Sequence, residues 1–369
     1  MEFPSGGPNM ARSATGIYPE TATGQSVAVG LTRGQAAAVP YPRVASLLPS
    51  ATEMLYAIGA GGHLVARSHE CDWPAAAMRP DVTVLTASMT AGVPVDQIDA
   101  EVRRLLGLGQ PLYTVDSGKL HAALPDLILT QDLCRVCSID TASVKRIAGE
   151  MSTAADKPVT ILSLDAVTLE GVLDDIVNVA RAVGCEAAGR ATVTALRERL
   201  YSLGEYINMF ADGPNVAFLE WTSPLFVAGH WTPQLIERAG GRHVLNATVP
   251  IAGSGAAAGP IGATERTCGK SVTVPAEVLV ASKPEVLIIC PCGLTLDQAW
   301  EATATLSTEA WWPQLPAVKA GRVAVVDGNA MFNRPGPRLI DAFAFLVGYL
   351  NDRPELIPAD FPWRPWRTP

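Results

Sequence analysis

The chain has 369 residues, of which 48% are hydrophobic and only 17% charged, and its net charge is −8. That length exceeds what one hydrophobic core usually fills, so two domains are expected. The acidic balance and the lack of a basic patch exclude nucleic acid and anionic membrane as partners, and no run approaches the ~20 apolar residues of a membrane span.

Met1 to Pro40 is rich in Gly, Ala, Ser, Thr and Pro. It lacks the apolar core, roughly 7–15 residues, of a secretory signal, and its composition is that of a disordered segment. A cytoplasmic location is therefore expected. The scarcity of acids, Glu2 and Glu20 against Arg12 and Arg33, keeps an organellar transit peptide as the alternative.

Regular patterning begins at Arg43. Val44 to Leu48 reads as a strand, Pro49 to Glu53 as a turn and cap, and Met54 to Ile58 as the start of a helix that Gly59 to Gly62 stops. Leu64 to Ala66 is the next strand and delivers the loop Arg67-Ser68-His69-Glu70-Cys71-Asp72-Trp73-Pro74. Val95 to Leu106 predicts a helix, while Leu112 to Val115, Leu127 to Leu129 and Val159 to Leu164 predict strands. Leu169 to Ala182 and Ala187 to Phe210 form a helical stretch with apolar residues at i, i+3 and i+4, interrupted once, and it reads as a rigid connector.

The plan then recurs. Asn215 to Trp221 and Phe226 to Trp231 follow as strand and strand end, a helix runs from Pro233 to Ala239, Gly240-Gly241 stops it, and His243-Val244-Leu245 follows, as His63 and Leu64 do upstream. Gly253 to Gly262 reads as a small-residue loop. Ala276 to Ser282 predicts a short helix, Val286 to Ile289 and Val323 to Val326 strands, and Leu339 to Leu350 a buried closing helix. Strands alternating with helices imply βαβ units and a mainly parallel sheet. The expected organisation is a disordered segment 1–40, an α/β lobe 41–165, a connecting stretch 166–210, a second α/β lobe 211–352 and a Pro/Trp-rich tail 353–369.

Both lobes place sulfur after a strand: Leu127 to Leu129 leads to Cys134 and Cys137, and Val286 to Ile289 leads to Cys290 and Cys292. In open α/β sheets ligands bind at the carboxyl ends of parallel strands, so the two ends are candidates for one shared rim. The spacing of Cys134 and Cys137 is that of zinc ribbons and of redox dithiols; the alternative is small buried hydrophobes. His69 and Cys71 add further candidate ligands for zinc or iron, and a neutral His69 imidazole is also a candidate axial ligand to a tetrapyrrole metal. The seven cysteines are an odd number, which suits free or metal-bound thiols better than a disulfide framework.

The chain resembles the cobalamin-binding subgroup of the helical-backbone periplasmic binding proteins. The resemblance is carried by Arg43 to Glu53, His69 to Pro74, Leu124-Pro125-Asp126-Leu127-Ile128 and Arg334-Pro335-Gly336-Pro337-Arg338, and extends from about Arg43 to Asp352. It implies two Rossmann-like α/β lobes with mainly parallel sheets, joined by a long connecting helix, with a corrinoid or other tetrapyrrole clamped between them. It also implies aromatic side chains on loops of both lobes, here the neighbourhoods of Tyr56, Trp73, Trp221, Trp231 and Phe332. The resulting ligand-binding set is His69, Trp73, Glu220, Trp221, His230, Trp231, Phe332 and Arg334, the last to clamp an acidic group. In the family, one surface glutamate per lobe meets the importer. Here Phe332-Asn333-Arg334 lacks that carboxylate, and the other lobe's equivalent falls near Asp81, so docking on an ABC importer is in doubt. No phosphate loop, catalytic carboxylate pair or nucleophile elbow is present, and the rival to a ligand-binding protein is a metal- or thiol-dependent enzyme using the Cys/His set.

Overall fold

A computed structural model describes residues 41–131, 141–155, 158–208, 212–251 and 266–367. All of these belong to one compact unit, Pro40–Pro369. The segment 1–40, the thiols Cys134 and Cys137 and the whole loop Gly253 to Gly262 lie outside the described residues.

The first lobe is a five-stranded sheet in the order Thr83–Val84, Leu64–Arg67, Val44–Ser46, Leu127–Thr130, Thr160–Ser163, with every pair parallel. Its two central strands are buried along their whole length, which is why they read as unbroken apolar runs. The helix Pro49–Ala57 follows the first strand. Pro at its start costs no hydrogen bond there and presets φ. Gly59, at φ 76°, lets the chain turn out of that helix, with its N–H donating to the Tyr56 carbonyl at 3.0 Å.

The second lobe is a six-stranded sheet in the order Val272–Thr273, Leu225–Val227, Val216–Thr222, Val286–Ile289, Val323–Val326, Trp363–Pro365. Its three central strands are parallel, as in the first lobe, with Val216 beside Val286 as Val44 is beside Leu127. The repeat ends there. Where the first lobe adds the parallel strand Leu64–Arg67, the second folds Leu225–Val227 back antiparallel on Val216–Thr222, and His243 to Leu245 forms no strand.

The tail is part of this second sheet. Trp363–Pro365 pairs antiparallel with Val323–Val326 as an edge strand, a position in a sheet where Pro is tolerated. Trp366 is buried against Trp300 and Trp312, with ring centroids 4.6 and 6.4 Å away.

The connector is two helices, Leu169–Ala182 and Glu186–Gly204, separated by Gly184 at φ 76°. They pack so closely that a Cβ on Gly189 would lie 2.3 Å from the Ala180 Cβ. One end is anchored to the second lobe: Gln234 accepts from the Leu169 N–H at 2.9 Å and Arg238 pairs with Glu170 at 2.7 Å. The pair also packs on Pro49–Ala57 of the first lobe and Leu339–Leu350 of the second. No described helix is long and apolar enough to cross a membrane.

Candidate functional site at the lobe junction

The parallel strands of each lobe end at loops that meet those of the other. From the first lobe comes the loop Ser68 to Pro74. Its floor is fixed by Cys71, which has no exposed surface and accepts from the Thr52 hydroxyl at 3.1 Å; burial pushes this thiol up to about 11. On the other side, Thr86 holds His69, with its Oγ1 3.0 Å from the backbone N–H and 2.6 Å from Nδ1. The Tyr113 hydroxyl donates to Glu70 at 3.3 Å. Thr86 and Tyr113 belong to a two-stranded antiparallel ribbon, Thr86–Ser88 with Tyr113–Val115, which carries the helix Ile98–Gly107.

From the second lobe come Glu220, which accepts from the Ser271 hydroxyl, and half-buried Trp221, whose Nε1 donates to the Ser223 carbonyl at 3.0 Å. The neighbouring strand ends in Cys290 and exposed Cys292, whose N–H donates to the Glu220 carbonyl at 2.9 Å. Cys290 is fully buried, lies 3.6 Å from the Met331 carbonyl, and burial raises its thiol well above the ordinary range. His230 takes φ 54° before the helix Trp231–Arg238; its Nε2 is buried with no hydrogen-bond partner among the described residues, and burial and then Lys270 push its pKa down.

Charge joins the two sides. Glu53, wholly buried in the first lobe, receives hydrogen bonds from Arg338 (Nε at 3.0 Å, and Nη2) and lies 3.4 Å from Arg334 Nη1, both arginines belonging to the second lobe. Arg334 also pairs with Asp72 at 2.6 Å and donates to the Glu70 carbonyl at 3.2 Å, while Asn329 donates to Asp72 at 2.9 Å. The Arg338 guanidinium sits 4.5 Å over the Trp73 ring. Burial raises the Glu53 carboxyl, against the pull of Arg338 and then Arg334. For Asp72, burial is opposed by Arg334 and Asn329, and the net effect is a lowered pKa.

The expected site residues therefore divide. His69 and Trp73 lie in the loop after Leu64–Arg67, Glu220 and Trp221 at the end of Val216–Thr222, Cys290 and Cys292 just after Val286–Ile289, and His230 after the antiparallel strand Leu225–Val227. Trp231 and Phe332 are packed inside the second lobe: Trp231 Nε1 donates to the Phe332 carbonyl at 2.6 Å, and the Phe332 ring, 1% exposed, sits against Phe218, Phe345 and Phe361. Arg334, expected to clamp a ligand acid, is 6% exposed and already spent on two carboxylates of the protein. Arg338 binds Glu53, whereas Asp341 pairs with Arg199. His69 and Cys71 are held by different partners, Thr86 and Thr52, and among the described residues no group of three or more His, Cys, Asp or Glu is arranged to hold a metal ion. Glu53, Asp72 and Asn329 were not singled out from the sequence, although the first two lie inside the stretches that carry the resemblance. Thr86 leaves no sequence signal.

Comparison with known proteins agrees with this architecture. A vitamin B12-binding protein of Vibrio cholerae serotype O1 is 22% identical over 321 residues, covering 85% of this chain and 91% of that protein. A periplasmic heme-binding protein from Pseudomonas aeruginosa superposes with a TM-score of 0.61 at 19% identity, over 89% of this chain and 100% of that one. An ABC transporter substrate-binding protein from Listeria monocytogenes gives 0.56 at 16%, over 85% and 99%. At these identities the superpositions establish the two-lobed fold. The family model for periplasmic binding proteins matches residues 44–330, most of the chain, and the chain belongs to that family.

Proposed function

We propose that the protein binds a corrinoid or haem-like tetrapyrrole between its lobes and delivers it to an ABC importer. The observation that carries this reading is that loops following the parallel strands of the two lobes meet, with Asn329 and Arg334 reaching Asp72 and the Glu70 carbonyl, and ligands of α/β proteins bind at such strand ends. The vitamin B12- and heme-binding relatives supply the ligand class. Stacking on the ligand falls to Trp221 and Trp73, with His69, Glu220 and His230 as the polar contacts. Family membership also withdraws the doubt over importer docking that Asn333 raised. That side chain is engaged within the lobe, donating to the Gly328 carbonyl at 2.8 Å, and docking falls to other surface groups. Delivery to an importer takes place on the outer side of the cytoplasmic membrane, so it competes with the cytoplasmic location expected from Met1 to Pro40, and fractionation of the native host decides between the two.

The enzyme reading has no support from the described thiols. Cys71, Cys268 and Cys290 are buried, and burial raises their thiol pKa values, which favours the less nucleophilic protonated form. Absorbance titration with cyanocobalamin, cobinamide and haemin tests the proposal. Saturable binding at micromolar ligand, weakened about tenfold by Trp221→Ala, is expected from the loss of one stacking face. No spectral change with any of the three would refute it.

A further inference from the structure

We infer that His69 meets the ligand as a hydrogen-bond donor through Nε2–H, in a tautomer set by Thr86 and Ser68, and that it does not ligate the ligand's metal. The inference rests on the junction being the ligand site and specifies what one of its residues recognises. The Thr86 hydroxyl has one proton and two lone pairs. Three groups reach it: the His69 backbone N–H at 3.0 Å, which can only donate, the Ser68 hydroxyl at 3.0 Å and His69 Nδ1 at 2.6 Å. Ser68 Oγ in turn accepts from the Glu70 N–H at 3.3 Å.

Two proton arrangements satisfy Thr86. In one, Nδ1–H donates to Thr86 and Thr86 donates to Ser68. The Ser68 proton is then left without an acceptor, because Thr86 Oγ1 is the one acceptor its hydroxyl reaches among the described residues, and Ser68 is only 2% exposed. In the other, Ser68 donates to Thr86 and Thr86 donates to Nδ1, and every proton in the chain is used. Buried donors without acceptors are rare and costly, so the second arrangement prevails. A neutral imidazole that accepts at Nδ1 carries its proton on Nε2. Nε2, across the ring from the Thr86 contact, then has no lone pair for cobalt or iron. It has an N–H for an acceptor oxygen, the chemistry shared by amide and carboxylate substituents on a tetrapyrrole rim.

The full chain labelled with 15N-histidine tests the tautomer directly, in mildly alkaline buffer and without ligand. Long-range 1H–15N correlation, with His69→Gln identifying the resonances, is expected to show a protonated Nε2 and an accepting Nδ1. Thr86→Val is expected to shift Nδ1 and populate both tautomers; a protonated Nδ1 in the parent protein, or an Nδ1 indifferent to Thr86→Val, overturns the inference. Titrations with cobinamide and haemin test the role. His69→Ala is expected to weaken binding about fivefold, with recovery in His69→Gln, whose amide can donate, and with no change in coordination spectrum among the three proteins. A loss confined to cobinamide identifies an amide oxygen, and one confined to haemin a carboxylate. A low-spin six-coordinate haemin spectrum that disappears in His69→Gln overturns the inference. If neither ligand binds, the ligand reading fails and the donor role with it, whereas the tautomer is still decided by the unliganded spectrum.

Discussion

Glu53→Ala measures how strongly the junction depends on one buried carboxylate. Removing one partner of a buried ion pair typically costs about 3–5 kcal/mol, because a charge is left in the interior with no counterpart. Two guanidiniums lose Glu53 here, but unequally. Arg334 retains Asp72 at 2.6 Å and the Glu70 carbonyl at 3.2 Å. Arg338, 8% exposed, retains the face of Trp73 at 4.5 Å, a contact worth about 0.5–2 kcal/mol. The variant therefore strands roughly one charge, and the expected loss is about 3–4 kcal/mol in urea unfolding followed by circular dichroism. Arg199→Ala is the control. Its partner Asp341 is also an interior-facing carboxylate, but the two side chains are 31% and 24% exposed, and a loss of about 0–1 kcal/mol is expected. Glu53→Leu combined with Arg338→Met removes both charges and should recover most of the stability. A Glu53→Ala loss no larger than that of Arg199→Ala would refute the reasoning, since burial would then not be what sets the cost.

Three other perturbations test the connector and the tail. Gly189→Ala places a methyl group 2.3 Å from the Ala180 Cβ and should cost about 1–3 kcal/mol in the same urea assay, unless the two helices separate freely. Asp175, on the connector, has its carboxyl pushed up to about 6, chiefly by burial, against a hydrogen bond from Asn178. The folded state thus holds this proton more tightly than the unfolded chain, and stability falls as pH rises from about 4 to about 6. Asp175→Asn is accordingly expected to stabilise the protein by about 1–2 kcal/mol above pH ~6, after solvent screening of a partly exposed group is allowed for, and the gain should vanish near pH ~4 in thermal melts. Trp366→Ala should cost about 3–5 kcal/mol, the usual range for a buried tryptophan, whereas a free tail would make it silent.

The sequence announces elements whose burial is one-sided or complete and hides those that depend on partners distant in the chain. Val286–Ile289, Val323–Val326 and Leu339–Leu350 match their expected bounds because continuous apolar runs leave no other reading. Thr83–Val84 and Thr86–Ser88 are too short and polar to show a period, and Pro365 disguises an edge strand as an irregular tail. At the strand ends, the order of residues along the chain is legible and the direction of their side chains is not. Phe332 and His230 both follow the predicted strand region, but each takes a left-handed backbone, φ 59° and 54°. A non-glycine residue adopts that conformation only when its surroundings enforce it, so no local pattern foretells where the neighbouring rings go. Phe332 consequently joins the phenylalanine cluster, and Trp231 hydrogen-bonds to it from within the lobe.

The stretches that make the family recognisable are also the ones that meet. Glu53 closes the run that begins at Arg43, Asp72 and Trp73 lie in the His69 to Pro74 loop, and Arg334 and Arg338 bracket Pro335-Gly336-Pro337. In the structure these five side chains contact one another across the two lobes. What is legible in the motifs is therefore the joint, a buried charge network that tolerates few substitutions because each partner leaves another unpaired. The strand ends on either side of that network obey no such constraint. Glu220, Trp221 and Cys292 take no part in that network, and His69 is held by Thr86, a residue outside every motif. This is why the fold follows from the sequence, while the proposed ligand contact rests on hydrogen bonds such as those of His69, Thr86 and Ser68.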